Sequence, residues 1–499
     1  MQISPSKEEF IRLARPGSLA PITAEILADR ITPVSAYDRL VAAEGGDTPW
    51  AFLLESVTGG EQLARYTFLG VSPTCIYRCR AGSWSISNRG ENTVGVLADG
   101  EDPLTPLKKL MQARPYVGRA DLPRFCGGAV GFLSYDAVRY FEELPDSNPD
   151  DLEVDDACFF ITDRLVIFDH VRRRMVLLCN AQVEQDPGEA WEAAATGIAQ
   201  LAAALKRPAP APELRPVDTS EVVPAPHSSI ERYQAAVGRC VEYILAGDAF
   251  QIVLSERFTV ELNCRPFDVY RALRSVNPSP YMYYLQMGPD RMIGSSPEIL
   301  VTVNGSEVCV RPIAGTRWRG KTPEEDAALE GELLADTKEL AEHVMLVDLG
   351  RNDVGRVCDY GSVRVDQLMA VERYSHVMHI VSNVLGHLRD DRDLFDAIRA
   401  CFPAGTVSGA PKVRAMEIID ELETVRRGFY AGCVGYIGFD GGMDMAITIR
   451  TLWARGNTAT LQAGSGIVAD STPEYEYQEC LNKAGALVRA IEMARAGLD

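Results

Sequence analysis

The segment that decides the fold class reads GCVGYIGFDGGMDMAITIRTLWARGNTATLQ, residues 432–462. It contains strand-like runs at 432–438, 445–452 and 459–462, and no helical stretch separates them. Runs of the same kind occur upstream at 51–56, 129–133, 164–169, 251–258, 281–286 and 300–303. Because these runs are not regularly interleaved with helices, we predict an α+β fold of antiparallel sheets rather than a doubly wound fold.

Helical patterns occur between these groups of strands. We expect helices at 188–205, 230–246, 336–349 and 471–496, where apolar residues have the 3.6-residue period. Thr322 before Pro323, and Thr472 before Pro473, are typical of helix starts, and a capping-box glutamate follows each. The proline-rich stretch 206–228 predicts a semi-rigid linker between an N-terminal region, 1–205, and a second region, 229–499.

The composition indicates a globular protein and limits its possible partners. The net charge of −20 argues against nucleic acid or an anionic membrane, since both require a basic surface. The twelve cysteines have no paired spacing, and residues 1–10 lack the features of a signal peptide, so we expect reduced thiols and a cytoplasmic location. No apolar run reaches the roughly 18 residues that a membrane span needs.

Two pairs of glutamates have the spacing of a binding site on a helix face. Glu339 and Glu342, and likewise Glu476 and Glu479, are three residues apart, so each pair shares one face. If the two helices meet, four carboxylates converge, which is tolerable only when a cation neutralises them. Oxygen donors without a cysteine or histidine cluster favour Mg²⁺. For either pair alone, a solvated acidic face is the alternative.

Small and isolated polar residues mark the other candidate segments. The loops PAGTVSGAPK, 403–412, and AGSGI, 463–467, offer backbone amides to an anion, although ordinary capped turns are the alternative. Arg450 ends a strand-like run; facing inward it would hold a carboxylate, and otherwise it is an exposed arginine. His379 is one of six histidines and is either catalytic or a hydrogen-bonded core residue.

Taken together, these segments resemble the chorismate-binding enzyme family. That family includes the large subunits of anthranilate synthases, aminodeoxychorismate synthases, and isochorismate or salicylate synthases. The resemblance rests on RPIAGTR at 311–317, the segment 338–357 ending in DLGRNDVGRV, PAGT at 403–406, and 463–479, in the family's order. It covers about 229–490 strongly, and the N-terminal part is similar to the region specific to the aminating members. It implies antiparallel sheets packed as a sandwich with helices outside, and a regulatory N-terminal region intertwined with a catalytic one.

Two positions bear on the reaction that the resemblance implies. Isochorismate-forming members carry a water-activating lysine where Gln251 stands, and an amide cannot act as that base. Aminodeoxychorismate synthases carry a nucleophilic lysine where Ala314 stands. What remains is direct attack of ammonia on chorismate, giving anthranilate and pyruvate in a Mg²⁺-dependent carbon–oxygen lyase reaction of tryptophan biosynthesis. These two family activities, and a non-catalytic chorismate- or amino-acid-binding regulator, are the alternatives.

The resemblance also implies roles for individual side chains. Glu298 is expected to protonate the departing hydroxyl, His379 to transfer a proton, and Thr406 to orient the substrate. The Mg²⁺ ligands are expected to be Glu339, Glu342, Glu476 and Glu479. The expected substrate-binding residues are Gln251, Ala314, Gly315, Thr316, Tyr430, Arg450, Gly464, Gly466 and Lys483. Trp318 stands where the family usually has proline, and we expect it to alter a loop rather than the chemistry.

The resemblance further implies a partner and an inhibitor. The chain lacks a G-x-C-x-G-x-Q-type nucleophile elbow, so ammonia is expected from a separate glutamine amidotransferase subunit, in a heterotetramer, or from free ammonium. Tryptophan is expected as a feedback inhibitor that binds between the two regions of the chain. Its expected contacts are Glu55, Ser56, Asn277, Pro280, Tyr281, Met282, Val434 and Tyr436; a buried strand pair with a proline turn is the alternative.

Overall fold

Two large antiparallel sheets contain the strands of the computed structural model, which describes residues 1–45, 50–56, 65–88, 90–209, 217–373 and 377–498. The strands are β1 Ile3–Ser4, β2 Leu19–Leu27, β3 Trp50–Glu55, β4 Tyr66–Val71, β5 Cys75–Arg80, β6 Ser83–Asn88, β7 Glu91–Val96, β8 Gly128–Leu133, β9 Ala157–Thr162, β10 Arg164–Asp169, β11 Arg174–Gln182, β12 Ala225–Pro226, β13 Gln251–Glu261, β14 Tyr281–Met287, β15 Asp290–Ser296, β16 Ile299–Asn304, β17 Glu307–Val310, β18 Ile313–Trp318, β19 Arg364–Arg373, β20 Val377–His387, β21 Gly409–Ala410, β22 Cys433–Gly438, β23 Met443–Ile447, β24 Thr451–Arg455 and β25 Thr458–Ile467.

Both sheets combine strands from the two halves of the chain. The first has the order β1-β2-β11-β10-β4-β3-β14-β15-β24-β25-β13-β12, with β21 also paired to β13. The second has the order β18-β20-β17-β16-β23-β22-β8-β9-β5-β6-β7, with β19 also paired to β20. The junctions are β3 with β14, where Glu55 lies opposite Met282, and β8 with β22, where Gly131 lies opposite Gly435.

Aromatic side chains fill the space between the sheets. The Phe132 ring of β8 meets the Trp453 ring of β24 edge to face at 5.6 Å, and Trp50 of β3 meets Phe160 of β9 at 5.3 Å. Each such ring contributes about 1.5–3 kcal/mol when it is fully buried. The predicted α+β sandwich of antiparallel sheets is therefore confirmed.

The helices lie on the outer faces and between strands. Their bounds are Lys7–Leu13, Pro33–Ala43, Leu104–Met111, Pro187–Lys206, Ile230–Ala246, Pro266–Val276, Pro323–Ala335, Thr337–Gly355, Leu394–Cys401, Lys412–Leu422 and Pro473–Ala496, with 3₁₀ turns at Tyr135–Tyr140 and Gly405–Val407. None of these helices is long and apolar enough to cross a membrane within the described ranges.

The helix starts differ in part from the predicted capping boxes. Thr322 accepts from the backbone of Glu325 at 3.2 Å, but the Glu325 carboxylate bonds the Lys321 amide instead of closing the box. Thr472 begins the last helix without a side-chain hydrogen bond, so the capping box predicted there is wrong.

The predicted strand 445–452 is also wrong, because it is two strands. β23 ends at Ile447 and β24 begins at Thr451. Between them Arg450 has a φ of 50°, in the left-handed region that a continuous strand cannot contain. The break turns the chain from the second sheet into the first and leaves Arg450 between them.

Candidate functional site

The two glutamate pairs lie near the starts of two helices that approach each other. Asp336 caps the helix Thr337–Gly355, which carries Glu339 and Glu342, and the helix Pro473–Ala496 carries Glu476 and Glu479. Helix N-termini favour negative charge. Lys338 of the first helix forms an ion pair with Asp470, just before the second, at 3.0 Å. The pKa of Lys338 is raised by that bond and, more weakly, by Glu342 and Glu476, which places carboxylates from both helices around one ammonium group.

Three of the four glutamates have a basic or amide side chain as a neighbour. Arg317 Nη1 lies 3.3 Å from Glu339, Gln251 Nε2 donates to Glu342 at 3.0 Å, and Lys483 Nζ lies 2.6 Å from Glu479. Burial raises the pKa of Glu339 and of Glu476 above the ordinary value of a glutamate. These carboxylates are arranged around basic and amide donors, and two of them hold their protons more tightly than usual.

The donor chemistry fits Mg²⁺ only if water or substrate completes the coordination. Within the described ranges, no three His, Cys, Asp or Glu side chains lie together in a group able to hold a metal ion. The predicted convergence of all four carboxylates on one point is therefore not present in this structure. Mg²⁺ usually keeps several waters and takes one or two carboxylates, so one glutamate from each helix is a sufficient protein contribution.

Arg450 supplies a positive charge beside these carboxylates. Burial lowers the pKa of its guanidinium, while Tyr430 and Glu479 act in the opposite direction. No carboxylate lies within ion-pair distance of Arg450 in the part of the chain that the structure describes. This half-buried guanidinium is therefore a site for an anionic ligand, and its planar fork suits a carboxylate.

Two glycines of β25, Gly464 and Gly466, form another wall of the site with backbone atoms alone. A Cβ on Gly464 would lie 2.8 Å from the Tyr430 hydroxyl, and one on Gly466 would lie 2.7 Å from Gln251 Nε2. Any side chain at these positions would collide with its neighbour. Lys483 Nζ donates to the Gly464 carbonyl at 2.8 Å, which ties the Glu479 helix to this wall.

Glu298 is a protonatable group inside the site. Burial raises its pKa to about 7, opposed by the Thr406 hydroxyl and the Lys483 charge. The Thr406 hydroxyl oxygen is itself buried without a well-directed hydrogen bond to any described residue. A carboxyl with a pKa near neutrality can donate a proton during a reaction at physiological pH.

His379 of β20 completes the arrangement across β18. Its Nδ1 lies 3.0 Å from the Gly315 carbonyl and 3.0 Å from the Thr316 hydroxyl. Because a carbonyl oxygen only accepts, Nδ1 carries the hydrogen and Nε2 is the acceptor nitrogen of the neutral ring. Burial lowers the pKa of His379, and Arg450 lowers it further. Ala314 is buried one residue before Gly315.

The predicted residues thus form a continuous series of neighbours. A Cβ on Gly315 would lie 3.2 Å from Glu339 Oε2, so the β18 end of the site adjoins the first glutamate pair. The series then runs through Thr316, His379, Arg450, Tyr430, Gly464, Lys483 and Glu479, and a second branch runs through Gly466, Gln251 and Glu342. Trp318, at the end of β18, is 74% exposed.

Most of the residues predicted to bind tryptophan line a separate cavity of about 510 Å³. Of that set, the lining includes Glu55, Ser56, Pro280, Tyr281, Met282, Val434 and Tyr436. Asn277 is not in the lining; its Nδ2 donates to Ser295 at 3.2 Å. The Glu55 carboxylate already accepts from Tyr270 at 2.5 Å and Arg274 at 3.1 Å.

Several residues in contact with these sites were not predicted from the sequence. Arg317 pairs with both Glu339 and Asp336, and its place at the end of the RPIAGTR motif was the available signal. In the second cavity Tyr281 donates to Asp444 at 2.8 Å, and Arg124 lies 3.5 Å from the same carboxylate. No sequence signal marks Arg124 or Asp444, because β8, which follows Arg124, and β23, which contains Asp444, are brought together only by their common neighbour β22.

The chain is similar to known proteins over most of its length. The family model for chorismate binding enzyme matches residues 51–489. Anthranilate synthase component 1 of Acetivibrio thermocellus is 46% identical, over 98% of this chain and 99% of the relative. The corresponding protein of Pseudomonas putida is 47% identical, with the same coverage.

Solved structures also resemble this chain. The crystal structure of anthranilate synthase component I from Streptococcus pneumoniae TIGR4 is 40% identical, with a TM-score of 0.76 over 85% of this chain and 92% of that one. The menaquinone-specific isochorismate synthase of Escherichia coli shares the fold, with a TM-score of 0.70 at 18% identity over 97% of this chain and 99% of that one.

Proposed function

Because the chain belongs to the chorismate-binding enzyme family, we propose that it converts chorismate and ammonia into anthranilate and pyruvate. The observation that carries this proposal is the full-length similarity to proteins named anthranilate synthase component 1, at 46% and 47% identity. The reaction is a carbon–oxygen lyase step of tryptophan biosynthesis, and we propose that it takes place in the cytoplasm.

The side chains around the site support ammonia, rather than water or a lysine amine, as the nucleophile. The Gln251 amide donates to Glu342 and has no basic atom with which to activate water. Position 314 is a buried alanine, so no amine is available there for covalent catalysis. These two positions oppose the isochorismate and aminodeoxychorismate reactions of the same family.

Arg450 and the glycine wall hold the dianionic substrate. The guanidinium binds one carboxylate of chorismate, and the amides of Gly464 and Gly466 approach it closely because neither residue has a side chain. Tyr430 and Lys483 flank the same wall, and Thr406 orients the ring beside Glu298. Mg²⁺ bound by Glu342 and Glu479, with Glu339 and Glu476 direct or through water, would neutralise carboxylate charge in the site.

The protons move between Glu298, His379 and the substrate. Ammonia forms a bond to the ring carbon next to the carboxylate while the hydroxyl leaves across the diene. Glu298 protonates that hydroxyl, which leaves as water. His379 Nε2 takes a proton released at the aminated ring, and the enolpyruvyl group leaves as pyruvate after receiving a proton. The products are anthranilate, pyruvate and water.

We also propose a partner and an inhibitor. The designation of the relatives as component 1 supports a second component, which we propose to be a glutamine amidotransferase subunit in a heterotetramer. The 510 Å³ cavity at the junction of the two halves is where we propose that tryptophan binds and inhibits.

The test is incubation of the purified chain with chorismate, Mg²⁺ and ammonium at mildly alkaline pH. We expect anthranilate fluorescence, with pyruvate formed in equal amount and activity lost on chelation of the metal. Isochorismate or aminodeoxychorismate as the product would contradict the proposed reaction, and the absence of turnover would favour a chorismate-binding protein. Glutamine is expected to replace ammonium only when an amidotransferase subunit is added.

A further inference from the structure

Arg427 is a fully buried arginine that the proposed reaction does not use. Its side chain is 1% exposed, and it lies between the helix Lys412–Leu422 and Tyr430. Nε and Nη2 donate to the two oxygens of Glu423 at 2.9 and 2.6 Å. Burial acts to lower the pKa of Arg427, but the Glu423 charge outweighs it and the pKa lies above its ordinary value. The guanidinium of Arg427 is therefore charged.

The remaining donors of Arg427 connect two segments of the site. Nη1 donates to the carbonyl of Val407, the residue after Thr406, at 2.7 Å. Nη2 donates to the carbonyl of Val253 at 2.7 Å, and Val253 lies opposite Gly466 in the β13–β25 pair. A single guanidinium plane thus fixes the Thr406 loop relative to the strand that supports Gly466.

The partner carboxylate and a stacked ring connect the other two segments. Glu423 Oε1 accepts from the backbone and the hydroxyl of Ser255, at 2.9 and 2.7 Å, and Ser255 lies opposite Gly464. The guanidinium of Arg427 also stacks on Tyr430, 5.5 Å from the ring centroid. Tyr430, the Thr406 loop and both glycines therefore depend on one ion pair.

Resting on the proposed function, we propose that Arg427 is a positioning residue that sets the geometry of the substrate wall against Glu298. A buried ion pair adds little stability compared with apolar side chains of similar volume, so stability alone does not account for it. The three N–H donors of a lysine leave a single nitrogen, so they cannot reach Glu423, Val407 and Val253 as the fork of Arg427 does. In an Arg427→Lys variant, Thr406 and the two glycines would therefore move relative to each other. A displacement of about 1 Å can lower a rate about 100-fold.

Arg495, in the last turn of the helix Pro473–Ala496, provides a matched control. Its side chain is 6% exposed, its Nε donates to the Leu262 carbonyl at 3.0 Å, and its Nη1 lies 3.8 Å from Asp218. Arg495 therefore also joins a carbonyl and a carboxylate. Its contact with Leu262 lies just after the last residue of β13, whereas Gln251 is the first residue of that strand. Arg495→Lys should lower stability about as much as Arg427→Lys without moving the substrate wall.

The experiment compares Arg427→Lys, Arg495→Lys and the unaltered chain in anthranilate formation and in thermal unfolding. We expect kcat/KM for chorismate to fall about 10–100-fold in Arg427→Lys alone. The Mg²⁺ concentration for half-maximal rate should stay unchanged, since the hydrogen bonds and the ion pair of Arg427 within the described ranges go to Glu423, Val407 and Val253 and not to the glutamate helices. Equal kcat/KM in the two variants would overturn the inference while leaving the proposed function intact. If the unaltered chain made no anthranilate, the proposed function itself would fail.

Ser255→Ala decides the question if Arg427→Lys does not fold. It removes one hydrogen bond to Glu423 and another from Gln462, at 2.7 and 2.8 Å, and keeps every charge. We expect a folded protein with kcat/KM lowered about 3–10-fold, the loss that one hydrogen bond corresponds to. An unchanged kcat/KM in this variant would contradict the role of the Arg427–Glu423 pair.

Discussion

Two side chains of the site are held in states that the fold itself opposes. Glu298 is buried and its pKa is raised to about 7. Arg450 is half-buried, with its pKa lowered by burial and with a left-handed backbone conformation. Burying a charge without a partner lowers stability. Both residues are therefore expected to affect stability and activity in opposite directions.

Glu298 predicts a pH dependence of stability. The folded protein keeps the proton up to about pH 7, whereas the unfolded chain releases it near 4.5, so the folded state binds more protons between these values. Stability must then fall as the pH rises from 4.5 to 7, by roughly 3 kcal/mol, and stay at that lower level above 7. Glu298→Gln should remove this fall and abolish most activity. Thermal unfolding of the unaltered chain and of Glu298→Gln from pH 5 to 8 measures this fall in stability. Parallel stability profiles for the two proteins would contradict the raised pKa of Glu298.

We expect the Arg450→Met variant to be at least as stable as the unaltered chain and to bind chorismate more weakly. No described carboxylate pairs with Arg450, so its removal leaves no buried charge behind. The KM for chorismate should rise about 10–100-fold, as expected for loss of a hydrogen bond to a charged group. Arg455→Met is the matched control: it leaves Asp290, 2.6 Å away, without its partner and should lower the melting temperature but not affect KM.

Secondary structure elements were predictable where their pattern is local. β10, Arg164–Asp169, and the helix Ile230–Ala246 have the predicted bounds, because alternation and the 3.6-residue period are read within one segment. The strand predicted at 445–452 failed, since tertiary pairing with two different sheets breaks it at Arg450.

The assembly of the site was not predictable from local pattern. Gly464 faces Ser255, and Thr316 faces His379, through the register of distant strands. No periodicity carries that information. Only the resemblance to a family indicated which segments would meet, and the approach of the two glutamate helices follows from packing around both sheets.

We expect substitutions at different glutamates of the same helix to have different effects on Mg²⁺-dependent activity. Glu342→Gln and Glu479→Gln should each lower anthranilate formation about 100-fold or more, since each removes a proposed Mg²⁺ ligand. Glu474→Gln is the control, because Glu474 is exposed in the first turn of the same helix as Glu479. Titration with Mg²⁺ after chelation, with circular dichroism to check folding, gives the comparison. Full Mg²⁺-dependent turnover of either variant would refute the ligand assignment.

At the scale of the whole molecule, each of the two sheets that the described residues form combines strands from both halves of the chain. β3 and β4 of the N-terminal half continue into β14 and β15 of the second half, and β8 joins β22. The 510 Å³ cavity lies at these junctions, so a ligand bound there contacts both halves at once. Such a ligand changes activity only if it binds two arrangements of the halves with different affinity.

Ser56→Phe tests regulation through that cavity. A phenylalanine side chain at the end of β3 would occupy space that the inhibitor needs, while the substrate wall lies on other strands. We expect kcat without tryptophan to stay near that of the unaltered chain and inhibition by tryptophan to be lost. Inhibition curves measured with anthranilate fluorescence decide it, and an unchanged inhibition constant would count against this site.

Burial of the thiols predicts slow modification of the folded protein. No disulfide joins any of the twelve cysteines, all of which lie in the described ranges, and among them Cys264 and Cys309 alone are partly exposed. Burial raises the pKa of Cys309 to about 11, so little reactive thiolate is present at pH 8. A thiol-reactive dye should label at most two cysteines quickly in the native state and twelve after denaturation. Rapid labelling of more than two would show that the buried strands open readily.

The mixed strand order also sets a condition on synthesis of the protein by the ribosome. β3 emerges early, yet the neighbour that covers its edge, β14, is translated only after residues 56–280. At 5–20 residues per second this interval is on the order of 10–50 s. Throughout it, the nascent N-terminal half presents unpaired, apolar strand edges that invite association with other chains. Co-expressed chaperones that cover exposed apolar segments should therefore raise the soluble yield more than changes to the finished surface.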